Sequence, residues 1–164
     1  GYWFKMYRAN RNVDYAIEEG GLRGGKCAHI WAKGGRSDLS CALSPGKWDM
    51  DRYPYMRFGY RIPEGVPVGL LIRPFEGYGG KESSGLVLGG TAARKSGPYE
   101  DIGVYELIDD DRWHEITVDV RKAREVFPEL THPRTFRFYT HRNGRKGQGY
   151  WFDDFAILPE SAIH

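Results

Sequence analysis

Arginine, tyrosine and histidine recur at alternate positions in three segments of this 164-residue chain. Over residues 53–62, Tyr55, Arg57 and Arg61 alternate with Met56, Phe58, Tyr60 and Ile62. Over 66–73, Arg73 falls in step with Leu71 and Gly69, against Val68, Leu70 and Ile72. Over 135–141, Arg137, Tyr139 and His141 alternate with Phe136 and Phe138. Strand side chains point to opposite faces with a period of two, so each segment turns an apolar set to a core and a polar set away from it. If the three strands are neighbours in one sheet, one exposed face gathers four arginines, two tyrosines and a histidine. Guanidinium groups pair bidentately with carboxylates and sulfates, and aromatic rings supply stacking surfaces. For any single arginine the competing reading is a solvated side chain or a cross-strand ion pair.

A second set of candidates lies in predicted loops. Trp48, Tyr53, Phe75, Tyr78 and Tyr99 stand among glycine and proline, where ligand sites are often placed. Trp31, Trp113 and Trp151 fall in regular strands and are expected in the core. For catalysis, Arg137, Tyr139 and His141 have the chemistry to neutralise a uronate and abstract its proton, as a polysaccharide lyase does. Glycosidases need two carboxylates facing one another; Glu64, Glu76, Glu82, Glu100, Glu106 and Glu115 sit in no recognisable signature. There is no Ser-His-Asp order and no metal-binding His pair, and Gly79-Gly80-Lys81 lacks the spacing of a phosphate loop.

The elements that must position these groups are strands. The 22 glycines and 9 prolines imply many turns. Strands are read at 13–18, 24–32, 38–43, 53–62, 66–73, 85–89, 102–107, 113–120, 135–141 and 150–158. One short helix is expected at about 120–126, limited by Pro128. The expectation is all-β: a two-sheet antiparallel sandwich (jelly roll) forming a single domain over 1–164. The strands at 24–32 and 38–43, joined by Lys33-Gly34-Gly35-Arg36, read as a hairpin that sets Cys27 opposite Cys41. The two either form a disulfide or pack reduced as small apolar residues. The reduced pair is preferred, since a domain of this size does not need one bridge.

Charge limits the partners. With 24 basic and 22 acidic residues the net charge is +2, too small to argue for nucleic acid. No apolar run is long enough to span a membrane. The start at Gly1-Tyr2-Trp3 reads as a piece cut from a longer protein.

Three local patterns carry a resemblance. They are Gly24-Gly25-Lys26-Cys27-Ala28-His29-Ile30, Asp111-Arg112-Trp113-His114-Glu115-Ile116-Thr117-Val118-Asp119-Val120 and Tyr150-Trp151-Phe152-Asp153-Asp154-Phe155-Ala156-Ile157. In this order they resemble the opening strand, the "Asp-x-Trp-His-x-apolar" strand and the closing "Asp-Asp" strand of galactose-binding-domain-like carbohydrate-binding modules. The resemblance implies a non-catalytic β-jelly roll that binds glycans, is extracellular (secreted, periplasmic or at the cell surface) and is often attached to a carbohydrate-active enzyme. It also implies a structural calcium ion held partly by the closing strand, at Asp153 and Asp154. Calcium takes six to eight oxygen ligands; near the start of the chain only Asp14, Glu18 and Glu19 are acidic. For the arginine face, uronic-acid or sulfated polysaccharides fit better than neutral cellulose. A lyase and a protein-interaction or adhesion sandwich are the alternatives.

Overall fold

In the computed structural model, residues 5–8, 11–44, 46–74 and 85–163 are described. Among them the order of elements is β1 (Lys5–Arg8), β2 (Val13–Glu19), β3 (Lys26–Ala32), β4 (Cys41–Ser44), β5 (Tyr55–Arg61), β6 (Gly69–Pro74), β7 (Leu86–Gly90), β8 (Glu100–Glu106), β9 (Trp113–Asp119), β10 (Pro133–Tyr139) and β11 (Gly149–Leu158). Two short 3₁₀ turns, Val120–Glu125 and Glu160–Ala162, complete it. The predicted helix is the first of these, its N-terminus capped by Asp119, whose side chain accepts from the Arg121 amide.

The strands form two sheets packed face to face. One has the order β1-β4-β10-β6-β7-β8, the other β2-β3-β11-β5-β9. Pairing is antiparallel except between β7 and β8, which run parallel. The core lies between the sheets. Met56, Phe58, Tyr60 and Ile62 enter it from the five-stranded sheet, and Leu70, Ile72, Phe136 and Phe138 from the six-stranded one. Phe58 meets Phe138 edge-on at 5.3 Å between centroids, and Phe138 lies 5.0 Å from Phe152. These contacts join the layers by apolar burial and aromatic geometry together.

Three expectations are corrected. The Cys27–Cys41 hairpin does not form: β3 and β4 belong to different sheets, because the chain after Ala32 crosses from one layer to the other. Both cysteines are free thiols and buried. Trp48 is fully buried, its indole N–H donating to the Tyr53 carbonyl at 3.0 Å. It is a core residue, because that bond satisfies its one polar atom. Conversely, Trp31, Trp113 and Trp151 lie outside the core, half-buried on the outer face of the five-stranded sheet.

Candidate functional site

The predicted polar face is divided by the fold. β5 lies in one sheet, while β6 and β10 pair in the other. Tyr55, Arg57 and Arg61 therefore sit on one outer face of the sandwich, and Arg73, Arg137 and Tyr139 on the opposite one.

Alternation builds the outer face of the six-stranded sheet. On β10, Phe136 and Phe138 enter the core, which turns Thr135, Arg137 and Tyr139 outward. On β6 the same rule turns Gly69, Leu71 and Arg73 outward. The ladders set Arg137 between Ala42 of β4 and Leu71 of β6, with Val87 of β7 next to Leu71. Ala42, Leu71 and Val87 are at most 1% exposed, so Arg137 rises from an apolar floor. Tyr139 bounds it: its ring stands 5.4 Å from that of Tyr99 in a T-shaped contact, and its hydroxyl lies 2.8 Å from His141 Nδ1. Gly97, at φ +57°, backs onto His141; a Cβ there would come within 2.3 Å of the imidazole. Burial raises the Tyr139 phenol well above its ordinary range.

Arg137 differs from five other arginines of the described residues. Arg23, Arg61, Arg94, Arg121 and Arg124 each rest on a carboxylate. Among the described residues no carboxylate pairs with Arg137, and its Nε is buried with no hydrogen-bond partner. The Thr135 hydroxyl on the same face and the Ser40 hydroxyl, two residues before Ala42, are buried and unpartnered too. Such unpaired buried groups carry a desolvation cost.

On the opposite face several polar side chains pair with one another. On β3 the burial of Ala28, Ile30 and Ala32 turns His29 and Trp31 outward. His29 stacks on Trp151 at 4.2 Å, and the Arg61 guanidinium lies 5.0 Å from the Trp151 ring centroid. Glu18 accepts from Trp151 Nε1 at 3.1 Å and meets His29 Nδ1 at 2.7 Å. These bonds, that from Trp151 first, hold the Glu18 carboxyl below its ordinary range. Arg61 also binds Asp111 at 2.9 Å. The Tyr55 hydroxyl accepts from Arg121 and donates to Glu160. Arg57 stands on this face in register with Thr117 and Ala156. Tyr53 is half-buried beside the Arg52 guanidinium. Phe75 and Tyr78 lie outside the described residues. Sequence reasoning missed the stack of His29 and Trp151, although the alternation in β3 carries its signal.

Asp153 and Asp154 occupy a break in the β11–β5 ladder, where the register shifts between Asp153 and Ala156 and Asp154 takes φ +50°. Asp153 Oδ2 accepts from the Leu22 amide at 2.9 Å, and Oδ1 from the Asp154 amide at 2.7 Å. Asp154 Oδ2 lies 3.0 Å from the Arg23 guanidinium. Among the described residues no three His, Cys, Asp or Glu side chains are grouped to hold a metal ion. Among the described residues the donors at this break do not fit the expected calcium ion.

No protein-family model matches the chain, and no curated protein matches it. Solved structures do. The family 11 carbohydrate-binding module of a cellulosomal cellulase of Clostridium thermocellum aligns with TM-score 0.58 at 12% identity, over 95% of this chain and 87% of that one. The same family's module from that organism in complex with a β-1,3-1,4-mixed-linked tetrasaccharide aligns with TM-score 0.57 at 12% identity, over 95% and 88%. At that identity the likeness concerns the backbone, and it extends over nearly the whole chain. The protein thus has the β-sandwich jelly-roll fold of the carbohydrate-binding modules.

Proposed function

We propose that the chain is a non-catalytic carbohydrate-binding module whose ligand lies on the outer face of the six-stranded sheet, and that this ligand is an acidic polysaccharide. The observation that carries the proposal is Arg137, a guanidinium on an apolar floor with no carboxylate partner among the described residues. A uronate or sulfate would supply that partner, and Tyr99, held from below by the buried Tyr139, would pack against the sugar ring. Arg73 and His141 flank the same surface. The fold neighbour bound to a mixed-linked tetrasaccharide supports an oligosaccharide as the ligand class. Such a module would work outside the cell or at its surface, tethering an attached enzyme to its substrate.

The lyase reading uses the same groups, since Tyr139 and His141 are within hydrogen-bond distance beside Arg137. Burial works against it. A phenol held protonated well above its ordinary range is a poor base at neutral pH. The test is affinity electrophoresis through gels containing alginate, pectin, a glycosaminoglycan or neutral mixed-linkage glucan, with absorbance at the wavelength of unsaturated uronates followed in parallel. Retardation by an acidic glycan without new absorbance is the expected result. Retardation by the neutral glucan alone would overturn the acidic assignment, and steady product release the non-catalytic one.

A further inference from the structure

The break in β11 has the shape of a cation site with the cation supplied by the chain itself. Three carboxylates meet there: Asp153, Asp154 and, from β9, Glu115. The Arg23 guanidinium spans two of them, at 3.0 Å from Asp154 Oδ2 and 3.2 Å from Glu115 Oε2. The third is taken by main chain, with one N–H on each oxygen of Asp153. Three carbonyls of the loop between β2 and β3 that carries Arg23 are also engaged. Gly25 O accepts from the Gly21 amide at 2.7 Å and Gly21 O from the Gly24 amide at 2.9 Å. Gly20 O accepts from the Trp113 indole at 3.1 Å. A divalent ion of calcium's type needs six to eight free oxygens; here both oxygens of Asp153, one oxygen each of Asp154 and Glu115, and three loop carbonyls already have partners.

On the loop side the packing is closed, while a largely apolar hollow lined by Ile17, Ala28, Phe152 and Phe155 opens on another side of the two aspartates. A Cβ on Gly21 would come within 2.3 Å of Asp153 Oδ2 and 3.0 Å of Lys26 O. The Asp153 carboxylate thus lies against loop backbone, with no shell-sized space on that side. Leu22 sits on Gly59 of β5, where a Cβ would approach it to 2.8 Å. The loop is fastened at four points: the Trp113 indole, the Leu22 amide, the Leu22 side chain and the Arg23 guanidinium.

We infer that Arg23, together with the Leu22 amide, takes the place of a structural metal ion at the Asp153–Asp154 break, so that this domain folds independently of calcium. The inference concerns the sheet opposite the proposed glycan face and stands whether or not that proposal holds. Its energy is modest, because Arg23 has 67% of its side chain exposed and Asp154 and Glu115 about 39% and 38%. Exposed pairs contribute little each, so what the guanidinium chiefly provides is local charge balance.

The test is thermal melting of the whole chain with chelator, with millimolar calcium, and with neither. The three midpoints should coincide; a midpoint that rises with calcium or falls with chelator overturns the inference. Arg23→Gln should lower the midpoint by about 1–4 °C at low salt, and by less in 1 M salt where exposed pairs are screened. A double-mutant cycle of Arg23→Gln with Asp154→Asn should show coupling; additive effects would mean that Arg23 does not hold the break, and would equally overturn the inference. Arg23 is exposed, so the single variant is expected to fold and report on the pair.

Discussion

Replacing Arg137 by methionine separates a ligand group from a structural one by the sign of two effects. Methionine keeps an apolar stem as far as the Nε position, in register with Ala42 and Leu71, and removes the buried Nε that has no partner together with the charge beyond it. A buried donor left unpaired costs about 1–3 kcal/mol. Recovering the lower part of that range would raise the melting midpoint by about 2–4 °C in a domain of this size. Binding should move the other way. A hydrogen bond to a charged group contributes about 1.5–3 kcal/mol, so affinity for an acidic oligosaccharide should fall about 10- to 150-fold. The salt dependence of binding should flatten in the variant, since the screened charge is gone. Melting and titration calorimetry on the same preparation read both quantities. A variant that melts lower than wild type and binds an oligouronate equally well would refute the reasoning, because the guanidinium would then be part of the scaffold.

Trp48→Ala should cost about 3–5 kcal/mol, since the side chain is fully buried, and chemical denaturation should show it in the absence of any sugar. Gly97→Ala should weaken glycan binding and destabilise the fold, because a Cβ there strikes the His141 ring from a positive φ; a crystal structure with His141 unmoved would contradict this. Glu18 has its carboxyl held below the ordinary value of 4.5, so its contribution is present above that value and fades as pH falls through the lowered one. The gap in urea midpoint between wild type and Glu18→Gln should therefore narrow from pH 6 towards pH 3, and a gap constant with pH would count against the Glu18 bonds. Burial pushes the Cys41 thiol up to about 12. Thiol reagents should thus label Cys41 in the folded protein far more slowly than in denaturant, and reducing agent should leave the midpoint unchanged.

Much of the strand layout was legible because the period of two is strong where both faces matter. Met56, Phe58, Tyr60 and Ile62 were set against Tyr55, Arg57 and Arg61 by sequence alone, and all four apolar residues are buried. What alternation cannot tell is which sheet a strand joins. It orients a side chain towards a core or away from it, and the two outer faces of a sandwich obey one rule. For that reason Arg61 and Arg137 looked like neighbours and lie on opposite sides. Trp48 misled for a different reason: glycine and proline around a tryptophan suggest an exposed loop, but a loop can run beneath the layers when its one N–H finds a carbonyl. The three outward tryptophans were readable, since a regular strand, on which the core expectation rested, has an outer face as well as an inner one. Ala28, Ile30 and Ala32 already point Trp31 outward. The Asp153–Asp154 pair was recognisable as a special site; its partner could not be, since Leu22 and Arg23 reach it across 131 residues of chain.

The order of strands within the two sheets bears on how the chain becomes a domain at all. The last two strands in sequence occupy interior positions, β10 between β4 and β6, and β11 between β3 and β5. While the chain is being synthesised, neither sheet can close until its centre arrives, so β3 and β5 each keep one unpaired edge until residues 149–158 have been made. Pairings of such long sequence separation give slow collapse to the native state, on the scale of milliseconds to seconds. A chain truncated before Gly149 would then lose cooperative folding as a whole, and its exposed strand edges would drive it to aggregate.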